Sequence, residues 1–233
     1  VVIADFPKKT DDRPALLKHR DVKTFFHEFG HAMHFVLGST ELFSFAGTSV
    51  KCDFVEVPSQ IFEEWMFDKQ LLKNLSSHYK TSQQMPDVLI DRLIALKKFE
   101  SGYFVVRQCV LSLMSLDYFK PGKQKDTTAI AQQLAKTYIP QIAVDPATHM
   151  EASFGHLTEY GAKYYSYMWS KVYALDLFYT VKEHGLVNSA AGAIFVNKIL
   201  AKGGSVDPNV LLKDYLGREP GQEAFFKDLG IVA

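Results

Sequence analysis

The sequence predicts a mainly α-helical fold with at most a small β element. In several segments the apolar residues recur at the three- and four-residue spacing of an amphipathic helix. Polar, proline or glycine-containing turns separate these segments. The chain has 233 residues, of which 47% are hydrophobic and 22% charged, as is usual for a globular protein with a substantial core.

The first elements follow from these patterns. The apolar run at residues 1–6 predicts a short strand, and residues 8–14 form a polar loop. A helix is predicted over residues 14–37, because apolar residues keep helical spacing there and Gly38 is a typical stop. Residues 41–53 are expected to be irregular or to contain a short helix.

The remaining elements are predicted to be helical. A helix is expected to begin after Pro58 and to continue to about residue 79, followed by a loop at residues 81–86. Aromatic residues at helical spacing predict one long helix over residues 160–182. The other predicted helices are 87–98, 102–118, 127–138, 190–200, 210–215 and 222–229, with a charged turn at 120–126 and a connection at 139–146.

Charge and composition exclude several classes of protein. The 26 basic residues balance the 26 acidic ones, which argues against a general nucleic-acid binder. No apolar run is long enough to span a bilayer, so we expect no membrane partner. The two cysteines form no paired framework and favour a reducing compartment, cytoplasmic or alternatively mitochondrial. The chain lacks an initiating Met and a signal-peptide pattern, so we expect a fragment or a processed chain.

The segment Phe26–His31 contains the motif His-Glu-x-x-His. On a helix, His27 and His31 lie one turn apart on the same face and can reach one metal ion. Glu28 then projects beside the ion, where it can take a proton from water. A chance match on a surface helix is the alternative, but the apolar flanks indicate a buried helix whose polar groups need partners. Gly30 inside this helix suggests a close approach by another backbone or a ligand.

A catalytic zinc usually has three protein ligands. His34 lies near the same stripe but one turn further along, and we interpret it as a packing residue or as a residue supporting the ligands. Glu56 is the better candidate, because its apolar neighbours suggest a buried position on a second helix packed against the first. Ser59, Gln60 and Glu63 are all plausible supporting partners of the histidines on that facing helix.

A second group of residues surrounds Tyr160. Tyr160, Tyr164 and Tyr167 have the spacing of one helical face, and His156 precedes them. A tyrosine hydroxyl or His156 can donate to an oxyanion. On spacing alone, an aromatic core stripe is the favoured interpretation.

The stretches FFHEFGHAMH, DFVEVPSQ and FGHLTEYGAKYYSYMWS together resemble the thimet oligopeptidase family of zinc peptidases, as does the upstream ADFPKKTDDRPALLKHRDVKTFF. The resemblance covers almost the whole chain. It implies a zincin-like helical catalytic domain in which one Zn²⁺ is held by His27, His31 and Glu56, with Glu28 as general base. It also implies catalytic roles for Tyr167 and His156 and substrate contacts from Tyr160, Tyr164 and His156.

The chain departs from the family pattern in two respects. Thr158 and Glu159 stand where many members have a Gly-Gly pair, so the loop before Tyr160 is expected to be shorter and stiffer. Members are also much longer, with a helical half upstream that completes a channel for short peptides. We therefore expect residues 1–233 to be the catalytic portion without that upstream half.

The sequence thus predicts an oligoendopeptidase of the gluzincin type, acting on short peptides, in which a zinc-bound water attacks the peptide bond with Glu28 as general base. The alternative from another class is a non-catalytic zinc-containing fragment that binds peptides. The intact Glu28 argues against this alternative, because a purely structural zinc site does not need it.

Overall fold

The computed structural model describes residues 2–122 and 124–231, which contain helices and turns but no strand. The mainly α prediction is therefore confirmed. The α-helices are α1 (His19–Val36), α2 (Cys52–Glu64), α3 (Lys69–Leu75), α4 (Asp87–Leu96), α5 (Ser101–Phe119), α6 (Thr127–Tyr138), α7 (His156–Glu159), α8 (Ser166–Glu183), α9 (Ser189–Lys198), α10 (Pro208–Leu216) and α11 (Glu223–Leu229). Short 3₁₀ turns occupy Phe43–Phe45, Trp65–Phe67, Met150–Ser153, Gly161–Lys163 and Leu200–Ser205.

The described chain divides into two units. The first contains the described residues up to Phe99 and from Ser170 onward, and the second is Glu100–Trp169. The core of the first unit consists of Phe54, Val57, Ile61, Ala174, Leu177, Phe178, Phe195, Ile199, Leu200, Leu211 and Leu212. The core of the second unit consists of Val110, Leu111, Met114, Ala131, Ile139, Phe154 and Tyr164. None of the described helices has the length and apolar character needed to cross a membrane.

The N-terminal region differs from the prediction. The strand expected at residues 1–6 does not form over residues 2–6, and Val1 lies outside the described residues. A strand needs a neighbour to bond its backbone groups, and no described residue provides one. Helix α1 begins at His19 instead of residue 14, and the Asp21 carboxylate accepts the Lys18 backbone N–H at 2.9 Å to close its first turn.

The prediction that a helix begins after Pro58 is wrong. Helix α2 begins at Cys52, and Pro58 lies inside it. A proline in a helix interior removes one backbone hydrogen bond and costs about 3 kcal/mol. Burial of Phe54, Val57 and Ile61 in the core of the first unit offsets that cost. The helix also ends earlier than predicted. Asp68 has an extended backbone, and its carboxylate caps the separate helix α3 by accepting N–H groups at 3.0 and 3.1 Å.

The long helix predicted for residues 160–182 is interrupted at its start. Gly161 has a φ of +55°, in the left-handed region that favours glycine, and the chain makes a 3₁₀ turn before α8 begins at Ser166. The predicted helix over residues 127–138 is confirmed as α6, and the other short helices agree within a few residues.

Gly30 provides a test of how α1 and α2 pack. A β-carbon at Gly30 would lie 2.6 Å from the Cα atom of Ser59, a backbone atom that cannot move aside easily. We therefore expect Gly30→Ala to lower the free energy of unfolding by about 1–3 kcal/mol through overpacking. The measurement is urea unfolding followed by circular dichroism.

Gly192 in α9 is the matched control, because a β-carbon there would meet nothing within 4 Å. Gly192→Ala is expected to raise the free energy of unfolding by up to about 1 kcal/mol, as helix propensity predicts. Equal stabilisation by both substitutions would contradict the close helix contact.

Candidate metal centre

The two histidines of the motif project from one face of α1. The ring centroids of His27 and His31 are 4.9 Å apart, and the ring planes are nearly perpendicular, at 86°. Both side chains are partly exposed, with exposed fractions of 20% and 25%. The four-residue spacing therefore brings the imidazoles together as predicted and leaves them open on one side.

Helix α2 brings a carboxylate to these imidazoles. The Oε2 atom of Glu56 lies 3.3 Å from Nε2 of His27 and 3.1 Å from Nε2 of His31. Glu56 is only 4% exposed. The approach depends on Gly30, whose missing side chain leaves room for the backbone of Pro58 and Ser59. The sequence interpretation of Gly30 as a point of close backbone approach is thus correct.

The donor set and its spacing suit a divalent metal ion. One ligand atom from each of His27, His31 and Glu56 lies within 4.8 Å of the others. Two ligands at 2.0–2.1 Å from a tetrahedral zinc are separated by about 3.3 Å, close to the distances between Glu56 and the two imidazoles. Two imidazoles and one carboxylate are a usual ligand set of catalytic zinc sites. The residues present therefore fit zinc.

Hydrogen bonds between charged groups hold these side chains together. Burial opposes protonation of His27, but hydrogen bonds with the carboxylates of Glu56 and Glu63 outweigh it and raise the pKa of His27 to about 9. Burial would likewise raise the pKa of Glu56, and its bonds with His27 and His31 instead hold that pKa far below the ordinary value.

Of the three residues predicted to support the histidines, Glu63 contacts His27, and Ser59 contacts the third proposed ligand, Glu56. Nδ1 of His27 lies 2.7 Å from Oε1 of Glu63. The Ser59 hydroxyl donates to Oε2 of Glu56 at 2.9 Å and is also 2.9 Å from the Glu56 carbonyl oxygen. Gln60 is buried on the same helix. The contact of Glu63 with His27 and that of Ser59 with Glu56 each restrict the orientation of a proposed ligand.

Two lysines that sequence reasoning missed lie beside Glu63. Lys23 Nζ is 3.1 Å from Oε2 of Glu63, and Lys171 Nζ is 3.9 Å from the same atom. Burial opposes ionisation of Glu63, but its bond with His27 and the charges of both lysines lower its pKa to about 2. Lys23 precedes His27 by one helical turn, so the sequence spacing could have indicated that the two side chains are neighbours. Lys171 lies in α8, and no local pattern points to it.

Glu28 and His34 have different surroundings. Glu28 is partly exposed, and no residue of the described chain hydrogen-bonds or ion-pairs with its carboxylate. His34 is fully buried, and neither ring nitrogen has a hydrogen-bond partner among the described residues. Burial, with a smaller contribution from His31, lowers the pKa of His34 to about 4. This agrees with a packing role.

The residues around Tyr160 form a cluster in the second unit. The His156 ring lies 5.7, 5.2 and 5.5 Å from the rings of Tyr160, Tyr164 and Tyr167. Tyr167 is also 5.2 Å from Tyr160 and 5.1 Å from Tyr164. The prediction that the tyrosines share one helical face is wrong, because they lie on either side of a 3₁₀ turn; the bend itself brings them together. Tyr164 is buried in the core of the second unit.

Comparison with known proteins shows which family the sequence matches. The family model described as peptidase family M3 matches residues 1–231. The chain is 38% identical to thimet-like oligopeptidase of Dictyostelium discoideum and 38% identical to saccharolysin of Saccharomyces cerevisiae, in each case over 99% of its length. It is 34% identical to oligopeptidase A of Escherichia coli over 97% of its length. The matches cover 33–35% of these relatives, so the chain spans about a third of their length.

The burial of His34 predicts an acid-dependent loss of stability. Its pKa is about 4 in the folded chain and near 6.5 when unfolded, so the unfolded chain binds the proton more tightly. The stability that the neutral ring contributes is present above pH 6.5 and is lost as the pH falls towards 4, by up to roughly 3 kcal/mol. In metal-free protein, the difference in unfolding free energy between wild type and His34→Leu should change by this amount between pH 8 and pH 4. Parallel stability curves would contradict the assignment.

Proposed function

The chain belongs to peptidase family M3, and on that premise we propose that it carries the metal centre of a zinc-dependent oligopeptidase. The reaction is hydrolysis of peptide bonds in short peptides. The observation that carries the proposal is the convergence of His27, His31 and Glu56 within 4.8 Å, with Glu28 directly following the first histidine on α1. A structural zinc site would need four protein ligands and no base.

In this proposal, His27, His31 and Glu56 hold one Zn²⁺. The bound ion would polarise the substrate carbonyl and lower the pKa of a water molecule to about 7. Ser59 keeps Glu56 oriented through the hydrogen bond described above. The partial exposure of both imidazoles leaves room for water and substrate on the open side.

Glu28 acts as general acid and base. Its carboxylate takes a proton from the attacking water and later gives it to the nitrogen of the leaving amine. Its partly exposed position without an ion-pair partner among the described residues supports this role, because a carboxylate committed to a salt bridge would be a weaker base.

We extend the proposal to the cluster in the second unit. Tyr167 and His156 donate hydrogen bonds to the negative oxygen that develops on the substrate carbonyl, and Tyr160 and Tyr164 contact substrate. Pre-organised donors of this kind stabilise an oxyanion. The mutual ring contacts of these four residues support the proposal, since they fix the orientation of each side chain.

Short peptides are the proposed substrates, in keeping with the relatives that are named oligopeptidases. Because the chain spans about a third of those relatives, the activity and substrates of the whole protein belong to the proposal. The proposal also includes an upstream helical half, which would allow only short, unstructured peptides to reach the site. A reducing compartment, cytoplasmic or mitochondrial, remains the prediction for its location.

A pair of substitutions separates metal binding from proton transfer. Glu56→Ala removes a proposed ligand, so zinc content should fall well below the one ion per chain expected for wild type. Glu28→Gln keeps the shape of the side chain but cannot accept the proton, so it should retain zinc while turnover falls by at least about 10²-fold. Zinc is measured by elemental analysis, and turnover with a quenched fluorescent peptide in the presence and absence of a chelator.

The same measurements distinguish the proposed peptidase from a fragment that binds peptides without hydrolysing them. Metal-loaded Glu28→Gln with full activity would contradict the proposed base. A wild type that holds zinc and binds the peptide without hydrolysing it would instead support a non-catalytic zinc-containing peptide-binding fragment.

Tyr167→Phe tests the second unit. Loss of the hydroxyl should lower kcat by about 10²–10³-fold with little change in KM, because the hydroxyl is needed when the oxyanion develops. Tyr138→Phe, at the exposed end of α6 in the same unit, is the control and should leave both constants unaltered. An unchanged kcat for Tyr167→Phe would rule out its proposed catalytic role.

A further inference from the structure

We infer that Glu63 is a positioning residue of the metal centre, which fixes the ring of His27 so that Nε2 faces the metal. The inference rests on the proposed function, since it concerns a ligand of the proposed zinc site. The observation that carries it is the 2.7 Å distance between Oε1 of Glu63 and Nδ1 of His27. Glu63 is not itself a ligand, because the group of residues that can hold one ion contains only His27, His31 and Glu56 among the described residues.

The two nitrogens of His27 have separate partners. Nε2 faces Oε2 of Glu56, and Nδ1 faces Glu63. A metal-bound imidazole is neutral and keeps one proton. When Nε2 binds the metal, that proton lies on Nδ1 and is donated to Glu63. A carboxylate in this position selects the tautomer, fixes the ring plane and makes the ligand more basic.

The two oxygens of Glu63 also have separate partners. Oε1 accepts from His27, while Oε2 faces Lys23 at 3.1 Å and Lys171 at 3.9 Å. The lysines lie on α1 and α8, so the carboxylate is bounded on two sides. The side chain of Glu63 is 13% exposed, which limits competition from water. Glu63 therefore has one orientation in which all of its contacts are made.

Lys171 is in turn fixed by the next residue of α2. Its Nζ lies 2.6 Å from Oε1 of Glu64, which is 2% exposed. The other oxygen of Glu64 accepts from Lys97 at 2.5 Å, and Lys97 also lies 2.6 Å from Asp228. Beyond Glu63, a series of ion pairs thus continues through the interior of the first unit. Of these residues, Glu63 alone contacts a proposed ligand.

The test measures zinc affinity, by competition with a chromogenic chelator, in the wild-type protein and three variants. Glu63→Ala should weaken zinc binding by about 10–100-fold, the usual effect of removing such a partner. Glu63→Gln keeps an acceptor for Nδ1–H and should recover part of the loss. Glu64→Gln is the matched control: it alters the adjacent carboxylate of the same helix, which contacts lysines and not His27, and zinc affinity should stay within about twofold.

A second readout follows the geometry of the site. Co²⁺ replaces zinc and has a visible absorption spectrum that depends on coordination, so Glu63→Ala should shift that spectrum while Glu64→Gln leaves it unaltered. The unfolding midpoint of each metal-free variant reports whether it is folded.

The outcomes separate this inference from the proposed function. If wild type binds zinc and a folded Glu63→Ala binds it equally well with an unaltered Co²⁺ spectrum, the positioning role is wrong and the metal site stands. An equal loss of affinity in Glu64→Gln would show a general effect of disrupting the ion pairs, which also overturns the specific role. If wild type takes up neither metal, the proposed function fails and the inference fails with it.

Discussion

The contact between Gly30 of α1 and Ser59 of α2 sets the geometry of the candidate metal centre. A β-carbon on Gly30 would lie 2.6 Å from the Ser59 Cα atom, so the helix backbones meet at a separation that only glycine permits. Glu56 lies one turn before Ser59, and its Oε2 atom reaches both imidazoles at 3.1–3.3 Å. A glutamate side chain has a fixed length, and a wider helix separation would therefore remove the carboxylate from the histidines.

Helix α2 both packs into the hydrophobic core and carries buried carboxylates, two roles that usually compete. Phe54, Val57 and Ile61 face the core of the first unit, while Glu56, Glu63 and Glu64 face other side chains. Burying carboxylates is costly unless each has a partner. Here each carboxylate contacts a histidine or a lysine, so the helix can be buried on both sides. The same burial explains why Pro58 is tolerated, because packing on both faces stabilises the helix more than one missing backbone bond weakens it.

The sequence predicts this site well where the required information is local. The spacing of His27 and His31 directly encodes their position on one helical face, and the apolar neighbours of Glu56 indicated its burial.

The sequence did not reveal that α2 continues through Pro58, because a local rule for proline was overridden by tertiary packing. It also did not reveal Lys171, which is distant along the chain and is brought to Glu63 only by the fold. The tyrosine cluster was expected on one helix, but the left-handed backbone at Gly161 bends the chain there. The sequence indicated that these rings lie close together, but it did not indicate the path of the backbone, since more than one path can bring the rings together.

The charges around His27 favour the uptake of a cation at this site. The carboxylates of Glu56 and Glu63 both contact His27, and the ammonium group of Lys23 lies beside Glu63. With His27 neutral, this group has one more negative than positive charge. In a partly buried environment that imbalance favours uptake of a cation at the point where the carboxylates approach an imidazole. In the metal-free protein the cation is the proton that gives His27 a pKa of about 9. A divalent ion held by His27, His31 and Glu56, as proposed above, would satisfy the same imbalance and leave this group with a net positive charge. In the proposed reaction, that positive charge would stabilise the negative charge that develops on the carbonyl oxygen of the substrate.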